Sequence, residues 1–242
     1  MLPLIIAHRG ASAEAPENTL AAFRLAWKQG ADAVEMDLRI AKDDNVVVAH
    51  DPDLYRVAGR KQRIVNLTSA QLRAIPAHWR DDTFNEADIG VPLLSEVLGE
   101  VPPDKSVFLE CKAGREMLPA LRQVLENGPL APKQVTIIGF DLGVMAEAAR
   151  QLPECAVAWI LKPSLLGSLH VQIQVARIAG LSALDLRVDW ALTAAGVAQA
   201  HNQGLKVFIW TVDDPARARE LAAMGVDGLT TNTPALMRRA LI

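Results

Sequence analysis

Apolar and polar positions alternate along this chain in two rhythms. Short apolar runs stand at residues 4–7, 33–38, 46–50, 106–111, 135–139, 156–161, 183–186, 207–211 and 228–230, and they predict strands. Between most of them, apolar residues recur at the spacing of one helix face. In "ENTLAAFRLAWKQG", Leu20, Phe23, Ala26 and Trp27 share such a face; Asn18 or Thr19 is a good N-cap and Gly30 a good stop. Further helices are predicted over residues 94–101, 116–126, 142–151, 193–203, 215–224 and 234–241. Strand–helix alternation through a whole chain builds a parallel sheet covered by helices.

The nine runs are one too many for an eight-stranded barrel, and turn chemistry removes the surplus. Residues 34–40 and 46–50 are separated only by "AKDDN", which is rich in turn formers. A parallel pair needs a crossover of roughly a dozen residues; a hairpin does not. The run 46–50 is therefore expected to return antiparallel, with His50 opposite Asp37 to within one residue. The remaining runs predict an α/β fold in one domain over residues 1–242. Its architecture is a (β/α)8 TIM barrel with a small insertion after the second-strand hairpin. The insertion covers about residues 51–91, where charges are dense and strand signals poor. Within it "LTSAQLRAI" predicts one short helix capped by Thr68 or Ser69, and the whole segment is expected to cap one rim.

Composition narrows the function. Half of the 242 residues are apolar and 22% are charged, enough for a large core. With 25 basic against 28 acidic residues the chain lacks the basic surface that general nucleic-acid binding requires, though a local basic pocket remains open to it. Cys111 and Cys155 lie far apart and form no disulfide framework; Cys111 sits in an apolar run and reads as a buried thiol. No apolar stretch approaches the roughly 18 residues of a membrane span. The run 4–7 is too short for a signal-peptide core and follows no basic residue. A soluble, cytoplasmic protein without stable membrane insertion is expected, and its oligomeric state is not legible.

The chemistry gathers at the C-terminal ends of the strands. His8 and Arg9 close the first, His50 and Asp51 the hairpin, and Trp210 closes "KVFIW". Glu35 and Asp37 lie two apart and share a face, as do Glu110 and Lys112 at the end of "SVFLECK". In barrels that rim binds ligands, and this face points inward. Three carboxylates cannot all stay ionised in a partly buried site without a cation. Hard oxygen ligands suit Mg2+ or Ca2+ better than zinc, and the choice between the two stays open. Arg9 and Lys112 beside the metal make the composition of a phosphate site. Two flanking histidines supply a general base and a general acid, each worth roughly 10²–10⁴-fold. Metal-assisted cleavage of a phosphate ester is the predicted reaction.

Taken together, these motifs resemble the glycerophosphodiester phosphodiesterase family, in its bacterial cytoplasmic form. The family pattern His-Arg, Glu-x-Asp, His-Asp reads here His8-Arg9, Glu35-Met36-Asp37 and His50-Asp51. The likeness continues through "PENTLAAF" at 16–23, "ECK" at 110–112, "WTVDDP" at 210–215 and "GVDGLTTNTP" at 225–234, essentially the full length. The resemblance implies that Glu35, Asp37 and Glu110 hold one divalent metal ion. It implies His8 and His50 as the acid–base pair and Arg9 and Lys112 as phosphate ligands. Trp210, with Phe140, would pack against the glycerol moiety. It further implies attack by a glycerol hydroxyl on phosphorus, a cyclic phosphate that water opens, and glycerol 3-phosphate and an alcohol as products. Three departures bear on substrate preference rather than on ligands or histidines. Gly139 stands where relatives often carry Ser, "KDDN" replaces a common Lys-Asp-Gly turn, and Cys111 replaces an aliphatic residue, pointing away from the site by alternation.

The same residues admit blander roles. Trp210 suits a core, Glu110 and Lys112 a simple ion pair, and Glu17 and Asn18 a helix start, with Glu17 also able to brace Arg9. His78, His170 and His201 read as surface residues, and Asp185, Asp189 and Asp213, near strand ends, are left outside the site. Two other functions compete with hydrolysis of small glycerophosphodiesters. One is a lysophospholipase D-type phosphodiesterase, which lacks support from any interfacial helix rich in Trp and Lys. The other is a catalytically silent barrel that binds a phosphorylated ligand, against which the intact histidine pair speaks. The leaving alcohol is not legible.

Overall fold

In the computed structural model, which describes residues 2–80, 83–163 and 168–242, each of the apolar runs becomes a strand. In chain order the strands are β1 (Leu4–His8), β2 (Ala33–Ile40), β3 (Val46–Val48), β4 (Asp53–Leu54), β5 (Arg60–Arg63), β6 (Ser106–Cys111), β7 (Val135–Gly139), β8 (Ala156–Leu161), β9 (Ala183–Arg187), β10 (Lys206–Trp210) and β11 (Gly228–Thr231). The helices are α1 (Leu20–Lys28), α2 (Tyr55–Ala58), α3 (Ser69–Arg73), α4 (Glu86–Ile89), α5 (Leu94–Gly99), α6 (Leu118–Glu126), α7 (Leu142–Gln151), α8 (Leu169–Ile178), α9 (Ala194–Asn202), α10 (Pro215–Met224) and α11 (Pro234–Leu241). Parallel ladders join β2, β6, β7, β8, β9, β10 and β11 in that order, and β1 pairs with both β11 and β2. The ring therefore closes into the predicted eight-stranded barrel, with helices on its outside.

Side chains alternate between two cores. Ile5, Val34, Met36, Leu109, Ile137, Leu184, Ile209 and Leu229 point outward and meet the helices. Ile6, Ala33, Phe108, Ile138, Ala158, Ile160, Ala183 and Phe208 point inward and fill the lumen. Phe108 and Phe208 meet there edge to face with centroids 5.0 Å apart, a favourable ring geometry. Gly228 leaves them room: a Cβ at this position would lie 2.9 Å from the Phe208 ring. The lumen is thus packed at its lower end, and polar side chains take over only at the strands' C-terminal ends.

β3 returns antiparallel to β2, with Leu38 opposite Val48 and Ile40 opposite Val46. One further bond, from the Ala49 N–H to the Asp37 carbonyl at 2.8 Å, places His50 one residue past Asp37's partner, within the predicted register. The strand stops at Val48 rather than residue 50 because the Arg39 guanidinium, not the ladder, takes the His50 carbonyl, at 2.9 and 2.5 Å.

The insertion packs on this hairpin through its own small core of Leu54, Ala58, Ile64 and Leu72 against Ala41, Val47 and Ala49. α3 forms as predicted: Thr68 caps the Gln71 N–H and the Gln71 side chain returns to the Thr68 N–H. The β4–β5 hairpin was not legible, since Arg60–Arg63 is exposed throughout and carries no apolar alternation. α8 was not predicted either. Val171, Ile173 and Val175 alternate at period two and are β-branched, which mimics a strand; in the helix Ile173 and Ala176 are buried while Val171 faces solvent.

Candidate active site

The chain leaves β1 through two consecutive left-handed residues, Arg9 (φ 56) and Gly10 (φ 83). Gly10 is required twice over: its φ suits glycine, and a Cβ would lie 2.6 Å from the Ala22 backbone. The bend brings the Arg9 guanidinium over the mouth of the barrel, with Nε 3.0 Å from Asp37 Oδ2 and Nη1 donating to Glu17 Oε1 at 3.0 Å. The Arg9 N–H donates to Glu35 Oε2 at 3.0 Å. Glu17 thus braces Arg9, and Arg56 of the insertion holds Glu17 in turn through bonds of 2.6 and 2.8 Å.

Beneath Arg9 the three predicted metal ligands converge. One oxygen from each of Glu35, Asp37 and Glu110 lies within 4.8 Å of the others, and all three residues are buried. Asp37 and Glu110 are register partners on β2 and β6, and period two places Glu35 on the same face. Asn18, itself left-handed at φ 57, orients Asp37: its Nδ2 donates to Asp37 Oδ2 at 2.7 Å and its Oδ1 accepts the Asp37 N–H at 3.3 Å. Lys112 Nζ stands 3.1 Å from Asp37 Oδ1 and 2.6 Å from Glu110 Oε1. Among the described residues, no well-directed hydrogen bond reaches Glu35 Oε1, Asp37 Oδ1 or Glu110 Oε1.

Burial, then the charges of Asp37 and Glu110, pushes Glu35 well above the ordinary carboxylate range. Burial and Asp37 push Glu110 up to about 7. Burial also works against Asp37, but Lys112 and Arg9 outweigh it and hold Asp37 low. A buried cluster of carboxylate oxygens with protons to shed, only partly neutralised by Lys112 and Arg9, fits one hard divalent cation.

Both histidines are held through Nδ1. His50 Nδ1 lies 2.7 Å from Asp51 Oδ1, and Asp51 Oδ2 accepts from Arg56 Nε at 2.6 Å. His8 Nδ1 lies 2.8 Å from Asn232 Oδ1. Asn232 in turn donates from its amide Nδ2 and its backbone N–H to the two oxygens of Asp213, at 2.5 and 2.8 Å. The amide nitrogen is thereby committed to Asp213, the amide oxygen must face His8, and His8 Nδ1 must carry the proton. Each ring then keeps Nε2 as its unprotonated nitrogen. Burial lowers the pKa of both histidines, with Arg9 adding to the effect at His8.

These groups open on a cavity of about 260 Å3 lined by His8, Arg9, Glu35, His50, Glu110 and Lys112 on one side. Ile138, Phe140, Ile160, Lys162, Asp185 and Trp210 line the other. Phe140 and Trp210 meet edge to face at 5.7 Å, and Lys162 stands 5.0 Å from the Phe140 ring centroid. The Trp210 indole is pinned by its Nε1–H, which donates to the Asp185 carbonyl at 3.2 Å. The structure therefore brings together every predicted site residue, with Asp37 buried just below the wall. The histidines, the carboxylates, Arg9 and Lys112 ride on β1, β2, the hairpin and β6; the aromatic and aliphatic wall rides on β7 to β10. Cys111 turns outward as expected, its thiol pushed up to about 12 by burial. His78, His170 and His201 are exposed, the last paired with Asp227. Asp189 is an exposed partner of Arg187.

Asn18, Asp185, Asn232 and Asp213 are the site residues that sequence reasoning missed. Asn232 lay inside "GVDGLTTNTP" and Asp213 inside "WTVDDP", but neither string says that it faces His8 across the closure of the barrel.

Comparison with known proteins agrees with this geometry. The model of the glycerophosphoryl diester phosphodiesterase family matches residues 8–236. The glycerophosphodiester phosphodiesterase of Caldanaerobacter subterraneus subsp. tengcongensis is 28% identical over 97% of this chain and 96% of its own. A Mycobacterium tuberculosis protein named "Probable glycerophosphodiester phosphodiesterase 1" is 46% identical over 96% of this chain and 90% of its own. Among solved structures, an Oleispira antarctica phosphodiesterase in complex with the product sn-glycerol-3-phosphate superposes with a TM-score of 0.86 at 26% identity, covering 99% of this chain and 96% of the other.

Proposed function

This chain belongs to the glycerophosphoryl diester phosphodiesterase family, and on that premise we propose that it hydrolyses small glycerophosphodiesters to glycerol 3-phosphate and an alcohol through a His8–His50 proton exchange. It is an enzyme of a family that hydrolyses glycerophosphodiesters. One observation carries the residue-level reading: three buried carboxylates, two oriented histidines and two cations converge on one small cavity.

Glu35, Asp37 and Glu110 would hold the metal ion. When bound, Mg2+ or Ca2+ supplies Lewis-acid stabilisation of the charge that grows on the phosphate oxygens. Arg9 and Lys112, standing at the edge of that cluster, bind the remaining phosphate oxygens. His8 Nε2 takes the proton of a glycerol hydroxyl as that oxygen bonds to phosphorus. Burial and the neighbouring Arg9 charge lower its pKa and so favour the uncharged ring that a base must start as. His50, whose imidazolium the Asp51 carboxylate stabilises, gives a proton to the departing alcohol oxygen as the P–O bond breaks. Water then opens the cyclic phosphate with the two rings in exchanged roles. Phe140 and Trp210 pack against the organic part of the substrate, and the product seen in the Oleispira relative supports a glycerol phosphate here.

The whole chain, 1–242, is read as one domain whose insertion serves the site through Arg56. A cytoplasmic setting belongs to the same proposal and is supported by the free thiols of Cys111 and Cys155. Among the described residues no helix is long and apolar enough to cross a membrane. The test is release of glycerol 3-phosphate from glycerophosphocholine with Mg2+, with Ca2+ and with chelator, beside His8→Ala and His50→Ala. Metal-dependent release that either substitution reduces by roughly 10²-fold or more is expected. Folded protein with no release under any metal, on this or other glycerophosphodiesters, would overturn the proposal.

A further inference from the structure

Asp185 lines the same cavity yet takes no part in the chemistry above. It rides on β9, which stands four strands from β2 in either direction around the ring, so it faces the metal-binding carboxylates from across the lumen. It is outside the group whose oxygens approach within 4.8 Å of one another. The residue is 3% exposed, and its Oδ1 has no hydrogen-bond partner among the described residues. Its inward neighbours are the apolar Ile138, Ile160 and Phe208. An unpaired buried carboxyl is costly to a fold, and an apolar residue there would extend the packed lumen at no such cost. Burial, reinforced by the charge of Glu110, pushes its pKa up to about 8, which makes it a neutral acid able both to donate and to accept.

Its position says what it meets. The phosphate belongs beside Arg9, Lys112 and the carboxylates, so the organic part of the substrate extends across the cavity toward β8, β9 and β10. The depth of a 260 Å3 cavity takes a small group and leaves the variable alcohol to the mouth. A glycerol moiety carries two free hydroxyls. One attacks phosphorus; the other enters an apolar wall and needs a partner there.

We propose that Asp185 is a specificity-determining residue that hydrogen-bonds the glycerol hydroxyl not used in attack, and so rejects substrates in which that hydroxyl is missing or acylated. This rests on the glycerophosphodiesterase reading above. A lysolipid, whose acyl chain occupies that oxygen, would leave the carboxyl unpaired, and sites built to bond a substrate hydroxyl discriminate strongly against analogues that lack it.

The experiment is calorimetric binding of glycerol 3-phosphate and of propane-1,2-diol 1-phosphate to the metal-loaded protein. The second probe keeps the vicinal hydroxyl and lacks the terminal one. Wild type is expected to prefer glycerol 3-phosphate by roughly tenfold or more. Asp185→Asn keeps most of that preference. Asp185→Leu loses it by weakening glycerol 3-phosphate alone, with an unchanged or raised Tm. No preference in wild type, or a preference that survives Asp185→Leu, would overturn the proposal; if the Leu variant fails to fold, Asp185→Ala takes its place. The two readings fail separately. Absent turnover with an Asp185-dependent preference would sink the function and leave this residue's role standing, and turnover without the preference would do the reverse.

Discussion

Asn232 Oδ1 lies 2.8 Å from His8 Nδ1, and the grip of Asp213 on the Asn232 amide nitrogen fixes that orientation. His8 is therefore locked in the tautomer whose Nε2 is free. Asn232→Leu removes the acceptor while keeping a similar volume, and is expected to lower kcat by roughly tenfold or more with little change in KM. Nitrogen chemical shifts of the His8 ring should report a mixture of tautomers in the variant. A single unchanged tautomer with reduced kcat would mean that Asn232 acts by another route.

The Asn18 side chain reaches the carboxylate cluster through Asp37, to which it makes two hydrogen bonds. Partners of this kind orient a ligand and typically carry 10–100-fold in metal affinity. Asn18→Ala is expected to weaken Mg2+ or Ca2+ binding by about that factor. Titration calorimetry on the purified protein measures it directly; equal affinities would place Asn18 in the helix start alone.

The metal-free protein should lose stability as pH rises. Glu110 holds its proton up to about 7 in the fold against an ordinary value of 4.5. Between those values the native state binds more protons at Glu110 than the unfolded chain, so this group's contribution is fullest below 4.5 and falls as pH climbs toward 7, by on the order of 3 kcal/mol. Glu35 shifts in the same direction and deepens the slope. A bound cation favours the ionised carboxylates and opposes it. Melting curves with chelator and with Mg2+ or Ca2+ should therefore diverge from pH 5 to pH 8. Parallel curves would show that the carboxylates ionise without help.

Gly10→Ala should be severe for one methyl group. Both the left-handed backbone and the 2.6 Å approach to Ala22 oppose it. A loss of more than about 1 kcal/mol is expected, together with reduced turnover, since Arg9 takes its direction from this bend. Chemical denaturation and kinetics on the same variant would separate the two effects.

The barrel was legible because each of its strands is an apolar run, and the clustering of the candidate site groups was legible because period two puts Glu35 with Asp37 and Glu110 with Lys112. The hairpin announced itself through a linker too short for a crossover. What escaped depends on ring closure. His8 and Asn232 are 224 positions apart and meet only because β1 pairs with β11. Asp185 in "ALDLR" alternates like any half-exposed strand residue; that its face is buried, and that Glu110 lies across from it, follows from closure alone. α8 escaped for a local reason, its β-branched alternation.

The split of the cavity wall between two sets of strands has a consequence for how such an enzyme changes. The histidines, the carboxylates and the Arg9 and Lys112 cations are confined to β1, β2, the hairpin and β6, whereas the opposite wall of the cavity is spread over β7 to β10. On the proposed reading, substitutions in the second set are expected to alter which polyols fit without moving a histidine or a carboxylate. A library restricted to Ile138, Ile160, Lys162, Asp185 and Trp210 would sample new diesters against one unchanged set of histidines and carboxylates.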